Sequence, residues 1–121
     1  MFTVQHLAII GSRAFEDYAL MKATVLEKFD LSALQTIISG GATGADTLAE
    51  RLAAELNLPT RIFAANWKCY GRSAGPRRNR QIVEAADFVL AFPQGASLGT
   101  KNTIAHCQKL GKPYLIIEPS L

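Results

Sequence analysis

Three glycine-rich loops and one basic segment carry the residues of this chain that could do chemistry. The first loop is Gly11-Ser12-Arg13-Ala14-Phe15. Its glycine permits a close backbone approach, and Ser12 and Arg13 add a hydroxyl and a guanidinium. The second loop runs from Ser39 through Gly40, Gly41, Ala42, Thr43, Gly44 and Ala45 to Asp46. Its glycines leave backbone N–H groups open before a helix, where the dipole favours an anion. Asp46 could accept from a ribose hydroxyl; equally, Thr43-x-x-Asp46 fits a capping box. The third loop, residues 93–100, contains Gly95, Gly99 and Thr100. It offers a second anion cradle, or Thr100 as a plain N-cap. No loop has the spacing G-x-G-x-x-G or G-x-x-x-x-G-K-[ST], so dinucleotide and Walker fingerprints are both missing.

The basic segment, residues 66–80, reads N-W-K-C-Y-G-R-S-A-G-P-R-R-N-R. It holds Lys68, Arg72, Arg77, Arg78 and Arg80 and no acid. The 121-residue chain has 13 Lys and Arg against 10 Asp and Glu, a net of +3; outside the segment 8 bases face 10 acids, a net of −2. The excess is therefore local, which suits a local anion site better than a long phosphate track. Residues 66–79 are expected to form a long loop, with Arg77 and Arg78 in the first turn of a helix that begins at Pro76. Cations there oppose the helix dipole by roughly 0.3–1 kcal/mol each, which points to a compensating anion. One turn before the core-facing Ile82, Val83 and Ala86 lie Arg78 and Asn79, so these two rank first, Arg77 next. Arg80 has a simpler partner in Glu84 at i+4. Gly75 precedes the helix, and Trp67 or Tyr70 could stack on a base or merely anchor the loop.

Other chemistries find little support. Cys69 and Cys107 are far apart and form no C-x-x-C, so neither a zinc site nor a disulfide framework is expected. Cys107 falls on a buried stripe with Ile104 and Leu110. His6 lies in a strand, and His106 is expected to face solvent. No metal or cofactor is expected, and no Ser/His/Asp constellation is visible. No apolar run reaches the length of a membrane span, and the N-terminus lacks the pattern of a signal peptide. These features point to the cytoplasm.

Apolar runs alternating with helical periodicity must position these loops. Strands are expected at residues 4–10, 34–39, 60–64, 87–92 and 114–117, and helices at 17–29, 44–56, 76–86 and 99–110. Short apolar strands alternating with helices specify an α/β fold. The reading is an open, doubly wound, Rossmann-like parallel sheet of five strands, order 3-2-1-4-5, with helices on both faces. The length suits one domain, residues 1–121. A ligand would then sit beyond the carboxyl ends of strands 1 and 4.

Taken in order, G-S-R-x-F, I-S-G-G-A-x-G-A-D-x-L-A-E, W-x-x-Y-G-x-x-A-G-P-x-R-N and A-F-P-x-G resemble the YspA/YpsA-like branch of the SLOG superfamily. That group includes the DNA-processing protein A fold and the "lonely guy" phosphoribohydrolases. The resemblance implies nucleotide or nucleotide-derivative binding, often in a sensor. It points to Gly11, Ser12, Arg13, Gly40, Gly41, Gly44, Asp46, Gly75, Arg78, Asn79, Gly99 and Thr100. The phosphoribohydrolase relatives carry P-G-G-x-G-T-x-x-E, where this chain has P-Q-G-A-S-L-G-T-K-N-T. Thr103 stands in place of the glutamate and can act neither as a base nor as a charged stabiliser. Turnover is left open, with Asp46 and Glu50 the remaining carboxylates. The expected function is thus nucleotide binding, with phosphate on the two glycine loops and charge neutralised by Arg13 and Arg78. The alternatives are nucleoside-monophosphate N-glycosidase activity and single-stranded nucleic-acid binding through the basic segment. Nucleic acid ranks second to a small nucleotide as partner, and a homodimer, common among relatives, stays open.

Overall fold

Alternation within single strands sets the layers. In β1 (His6–Gly11), Leu7 and Ile9 point to one face of the sheet and Ala8 and Ile10 to the other. Each pair seeds its own core. Leu7 and Ile9 join Phe15, Met21, Val25, Leu52, Leu90 and Phe92 beneath α1 (Tyr18–Lys28) and α2 (Ala45–Glu55). Ala8 and Ile10 join Ile82, Val83, Val89, Ala91, Ile104 and Cys107 beneath α4 (Ala74–Ala85) and α5 (Leu98–Leu110). The computed structural model describes residues 1–118; the last three residues of the expected domain lie outside the described residues.

The remaining strands are β2 (Thr36–Ser39), β3 (Thr60–Ile62), β4 (Phe88–Phe92) and β5 (Tyr114–Ile116). They form one parallel sheet in the order β3-β2-β1-β4-β5, as expected from right-handed crossovers. β1 and β4 pair from Leu7–Phe88 to Gly11–Phe92, so both strands end at the same level. The chain leaves β1 for α1 on one face and β4 for α5 on the other, which opens a crevice between the two loops. Helix ends obey local rules: Asp17 Oδ1 caps α1 by accepting from Leu20 N at 3.0 Å, and Gly111, left-handed at φ 69°, closes α5.

The structure corrects the sequence reading of the basic segment and of His106. Residues 66–79 are not a loop. They fold as α3 (Trp67–Tyr70), a 3₁₀ turn (Gly71–Ser73) and the start of α4. Asn66 nucleates α3 by accepting from Cys69 N at 3.0 Å. Since α4 begins at Ala74, Pro76 is its third residue, Arg77 completes its first turn and Arg78 opens its second. The expected clash with the helix dipole is correspondingly weaker. His106 does not simply face solvent: it is half-buried, and its Nε2 is enclosed with no partner among the described residues. Cys107 is buried as expected, and burial pushes its thiol up to about 11. Among the described residues there is no cluster of metal-ligating side chains, and no helix is long and apolar enough to cross a membrane.

Candidate functional site

The crevice at the ends of β1 and β4 is a cleft of about 560 Å³. That lies within the range of roughly 300–1,000 Å³ typical of small-molecule sites. A smaller cleft of about 340 Å³ adjoins it over the β2 loop. Gly11, Ser12, Arg13, Asp46, Gly75, Arg78, Asn79 and Gly99 line the larger cleft. Gly40 and Gly41 line the smaller one, and Arg13, Arg78 and Trp67 line both. Ser39, Gly44, Tyr70, Arg77, Gly95 and Thr100 line neither.

The β1 loop forms because Ser12 serves four bonds at once. Its N–H donates to Phe92 O at 3.1 Å, joining the β1 and β4 loops. Its carbonyl accepts from Phe15 N and from Ala45 N, the first amide of α2, and its Oγ accepts from Ala14 N. Gly44 lies directly beneath this turn at φ 74°, and a Cβ there would overlap the carbonyl oxygens of Ser12 and Arg13. The glycine is needed to seat one loop on another.

At the β2 loop three amides, those of Gly41, Ala42 and Ala45, are engaged within the protein. In the β2 loop, Ala42 N donates to Asp46 Oδ2 at 3.1 Å and Gly41 N to Ser39 Oγ at 3.2 Å. Ala45 N is taken by Ser12. The capping-box reading fails, because the N-cap is Gly44 and Thr43 makes no capping bond. The Asp46 carboxylate accepts from the loop amide of Ala42 and does not cap the first turn of α2. At α5 the N-cap position belongs to Ser97, not Thr100, and no side chain caps the first amides. Ser97 Oγ and Thr100 Oγ1 bond each other at 2.6 Å, and Thr100 is buried. Among the described residues the first-turn amides of α5 therefore have no protein acceptor.

A polar chain crosses the floor between the helices. Arg78 Nη1 donates to Gly40 O at 2.7 Å, and Arg78 Nε to Asn79 Oδ1 at 3.0 Å. Asn79 Nδ2 donates to Asn102 Oδ1 at 3.0 Å. Asn102 lines the larger cleft and was not among the expected residues. Its signal was available: it lies three residues after Gly99, on the same face of α5. Thr103 lines the cleft too, and its Oγ1 donates to Gly99 O at 2.9 Å. Gly40 is wedged between the Arg78 guanidinium and the Asp46 carboxylate, where a Cβ would stand 2.6 Å from one and 2.9 Å from the other.

Burial shifts both charges toward neutrality. Asp46 is held above the usual carboxylate range by desolvation, against the pull of the Ala42 amide and Arg78. Arg78 is lowered by desolvation and by Arg13, against the pull of Asp46. Arg77 and Tyr70 turn to each other instead of the cleft: the guanidinium lies 4.4 Å from the ring centroid, and Arg77 Nε donates to Ser73 Oγ at 3.1 Å. Arg80 pairs with Glu84 at 2.7 Å, as its i+4 spacing implied.

Residues 6–70 match the model of the YspA, cpYpsA-related SLOG family. The chain belongs to that family. It is 33% identical over 119 residues to the Gene 61 protein of Mycobacterium phage D29, covering 93% of this chain and 95% of that one. Its fold is similar to that of DNA processing protein A from Streptococcus pneumoniae, with a TM-score of 0.75 and 21% identity over 97% of this chain. The chain spans about half, 51%, of that protein's length. The DNA processing protein A of Helicobacter pylori, described for its single-stranded DNA binding mode, gives a TM-score of 0.73 at 21% identity. It is covered over 67% of its length and covers 98% of this chain. These likenesses establish the Rossmann-like fold.

Chemically, the larger cleft combines two guanidiniums, an uncapped helix start, carboxamides and hydroxyls. It can hold an anion with a polar, planar group attached. Thr103 brings no carboxylate to the position where the phosphoribohydrolase branch has one, and its hydroxyl already donates to Gly99 O.

Proposed function

We propose that this SLOG domain binds a nucleotide or nucleotide derivative in the larger cleft as a ligand-binding or sensor protein. One observation carries the reading: Arg13, Arg78 and the uncapped start of α5 converge on a single cleft. The phosphate lies at Gly99 on α5, a reading supported by the engagement of the Gly41 and Ala42 amides of the β2 loop by Ser39 and Asp46. Arg13 and Arg78 neutralise it. Trp67, 52% exposed at the rim, offers a stacking face for a base. Asn102, Asn79 and Asp46 supply partners for sugar hydroxyls.

A thermal-shift series with AMP, GMP, CMP and UMP tests this, because a ligand of the native state alone raises its apparent stability. No shift with any of them at millimolar concentration would refute it. The same incubations, followed by chromatography for free base, test the N-glycosidase alternative, for which Asp46 is the one carboxylate in the cleft among the described residues.

A single-strand reading has one observation in its favour. Lys68, Arg72, Arg77 and Arg80 are all exposed on α3, the 3₁₀ turn and α4, outside both clefts. Its signature is an affinity for oligonucleotides that falls steeply with salt.

A further inference from the structure

Three side chains on the floor of the larger cleft are joined in a fixed order of donor and acceptor. Arg78 Nε lies 3.0 Å from the Asn79 side chain, and a guanidinium carries donors only. The Asn79 atom facing it is therefore Oδ1, which turns Nδ2 the other way. There Nδ2 donates to Asn102 Oδ1 at 3.0 Å. The carbonyl oxygen of Gly99, an acceptor only, lies 3.5 Å from the same Nδ2 and requires the same orientation. Asn102 thus presents Oδ1 to Asn79, and its Nδ2 is the end left over. That group has no partner among the described residues, and it is not one of the enclosed polar atoms. Asn102 is half-buried and lines the cleft.

We propose that Asn102 recognises the ligand as a hydrogen-bond donor of fixed polarity, and that Asn79 is the positioning residue that sets this polarity. The proposal rests on the nucleotide reading above and sharpens it. The ligand atom opposite Asn102 is an oxygen with a free lone pair, from a sugar hydroxyl or from the phosphate. An unrestrained asparagine could turn its amide over and meet a donor or an acceptor equally well. Here that turn is blocked. A reversed Asn102 would set its NH₂ group against that of Asn79, and a reversed Asn79 would set NH₂ against the Arg78 guanidinium. Either change leaves donors facing donors, at the cost of the bonds they now make.

Asn79 itself is buried, and its NH₂ group is engaged by Asn102 and Gly99. Apart from the second lone pair of its Oδ1, it acts on the ligand through Asn102. The lining is sorted in consequence. Arg13, Arg78, Asn102 and the start of α5 offer donors, and the Asp46 carboxylate offers an acceptor. Such a cleft suits a ligand rich in acceptor oxygens that carries few hydrogens to donate, as a phosphorylated sugar does.

The test is calorimetry of the whole chain with AMP, 2′-deoxy-AMP and 3′-deoxy-AMP, on the unmodified protein and on Asn102→Ala, Asn102→Asp, Asn79→Ala and the double alanine variant. Asn102→Ala should weaken AMP by about three- to tenfold, the worth of one hydrogen bond. Asn102→Asp keeps the shape and the bond from Asn79 but turns an acceptor to the cleft, and should weaken AMP by about tenfold or more. Asn79→Ala should weaken AMP too, yet add less than about twofold when Asn102 is already alanine. The deoxy compounds locate the oxygen. An Asn102→Ala loss that vanishes with one of them assigns it to that sugar hydroxyl, and a loss that persists with both assigns it to the phosphate. AMP affinity within about twofold of the unmodified protein in both Asn102 variants would overturn the proposal while leaving the nucleotide reading intact. Losses that multiply in the double variant would overturn the positioning role and make Asn79 a plain tie between α4 and α5. Failure of the unmodified protein to bind AMP would refute the underlying reading and this one with it.

Discussion

Replacing Arg78 by alanine removes the one cation among the described residues that is both half-buried and shared by the two clefts. In the free protein the side chain makes two bonds, to Gly40 O at 2.7 Å and to Asn79 Oδ1 at 3.0 Å. A hydrogen bond to a charged group is worth about 1.5–3 kcal/mol net. If the phosphate takes one such bond from Arg78, its loss weakens AMP binding by about 10- to 150-fold, at 1.4 kcal/mol per factor of ten. Arg80→Ala is the matched control, two positions along the same helix. It breaks only an exposed pair with Glu84 at 2.7 Å, worth about 0.3–0.5 kcal/mol of stability, and should change AMP affinity less than twofold. Arg78→Lys separates charge from geometry, because an ammonium cannot span Gly40 and Asn79 as the planar guanidinium does. It should fall between the two. Calorimetry at fixed low salt gives the three dissociation constants, and circular dichroism confirms that each variant is folded. Equal affinities for Arg78→Ala and Arg80→Ala would refute the assignment of the phosphate to this side of the cleft.

The geometry sets three further outcomes. Gly44→Ala should cost more than about 2 kcal/mol in denaturant unfolding, since a Cβ at φ 74° meets the Ser12 and Arg13 carbonyls; a change below about 0.5 kcal/mol would show that the loops can part freely. Asp46 is raised in the fold, so the folded state binds its proton more tightly than the unfolded chain does. The stability this contributes is complete below the ordinary carboxylate range and is lost as pH rises through the folded value. Melting curves of Asp46→Asn should therefore gain on the unmodified protein between pH 4 and pH 7, and the opposite trend would mean that Arg78 and the Ala42 amide outweigh burial. Cys107, buried and shifted up to about 11, should resist a thiol reagent at neutral pH while exposed Cys69 reacts; two fast-reacting thiols in the native protein would contradict the packing of α5.

Much of the fold was legible because local rules and global packing agree. Leu7 and Ile9 against Ala8 and Ile10 read as a strand covered on both faces, and the structure buries each pair in its own core. Gly111 read as a helix stop and closes α5 at φ 69°. The basic segment was misread as a loop because its cues are short-range and polar. Asn66 caps a helix of only four residues, and Gly71 at φ 56° breaks it before α4 begins. Neither event leaves an apolar period to detect.

The candidate site divides along the same line. The types and the spacing of Arg13, Gly40, Gly41, Asp46, Arg78, Asn79 and Gly99 could be read directly. So could the crevice they would share, because a right-handed β-α-β chain leaves few other sheet orders. Two glycine loops of similar composition looked equivalent, and only tertiary contacts separate them. The β2 loop is closed by Asp46, Ser39 and the carbonyl of Ser12, which arrives from 33 residues away along the chain to take the Ala45 amide. At the α5 start no side chain caps the amides, and the hydroxyls of Ser97 and Thr100 bond each other. Likewise Arg78 reaches Gly40 across 38 positions and Asn79 reaches Asn102 across 23. Residue type sets which groups can bind an anion, and the sequence by itself determined that much. Whether a given amide or guanidinium is still available depends on which acceptor the fold brings within about 3 Å of it, and that was decided only in three dimensions.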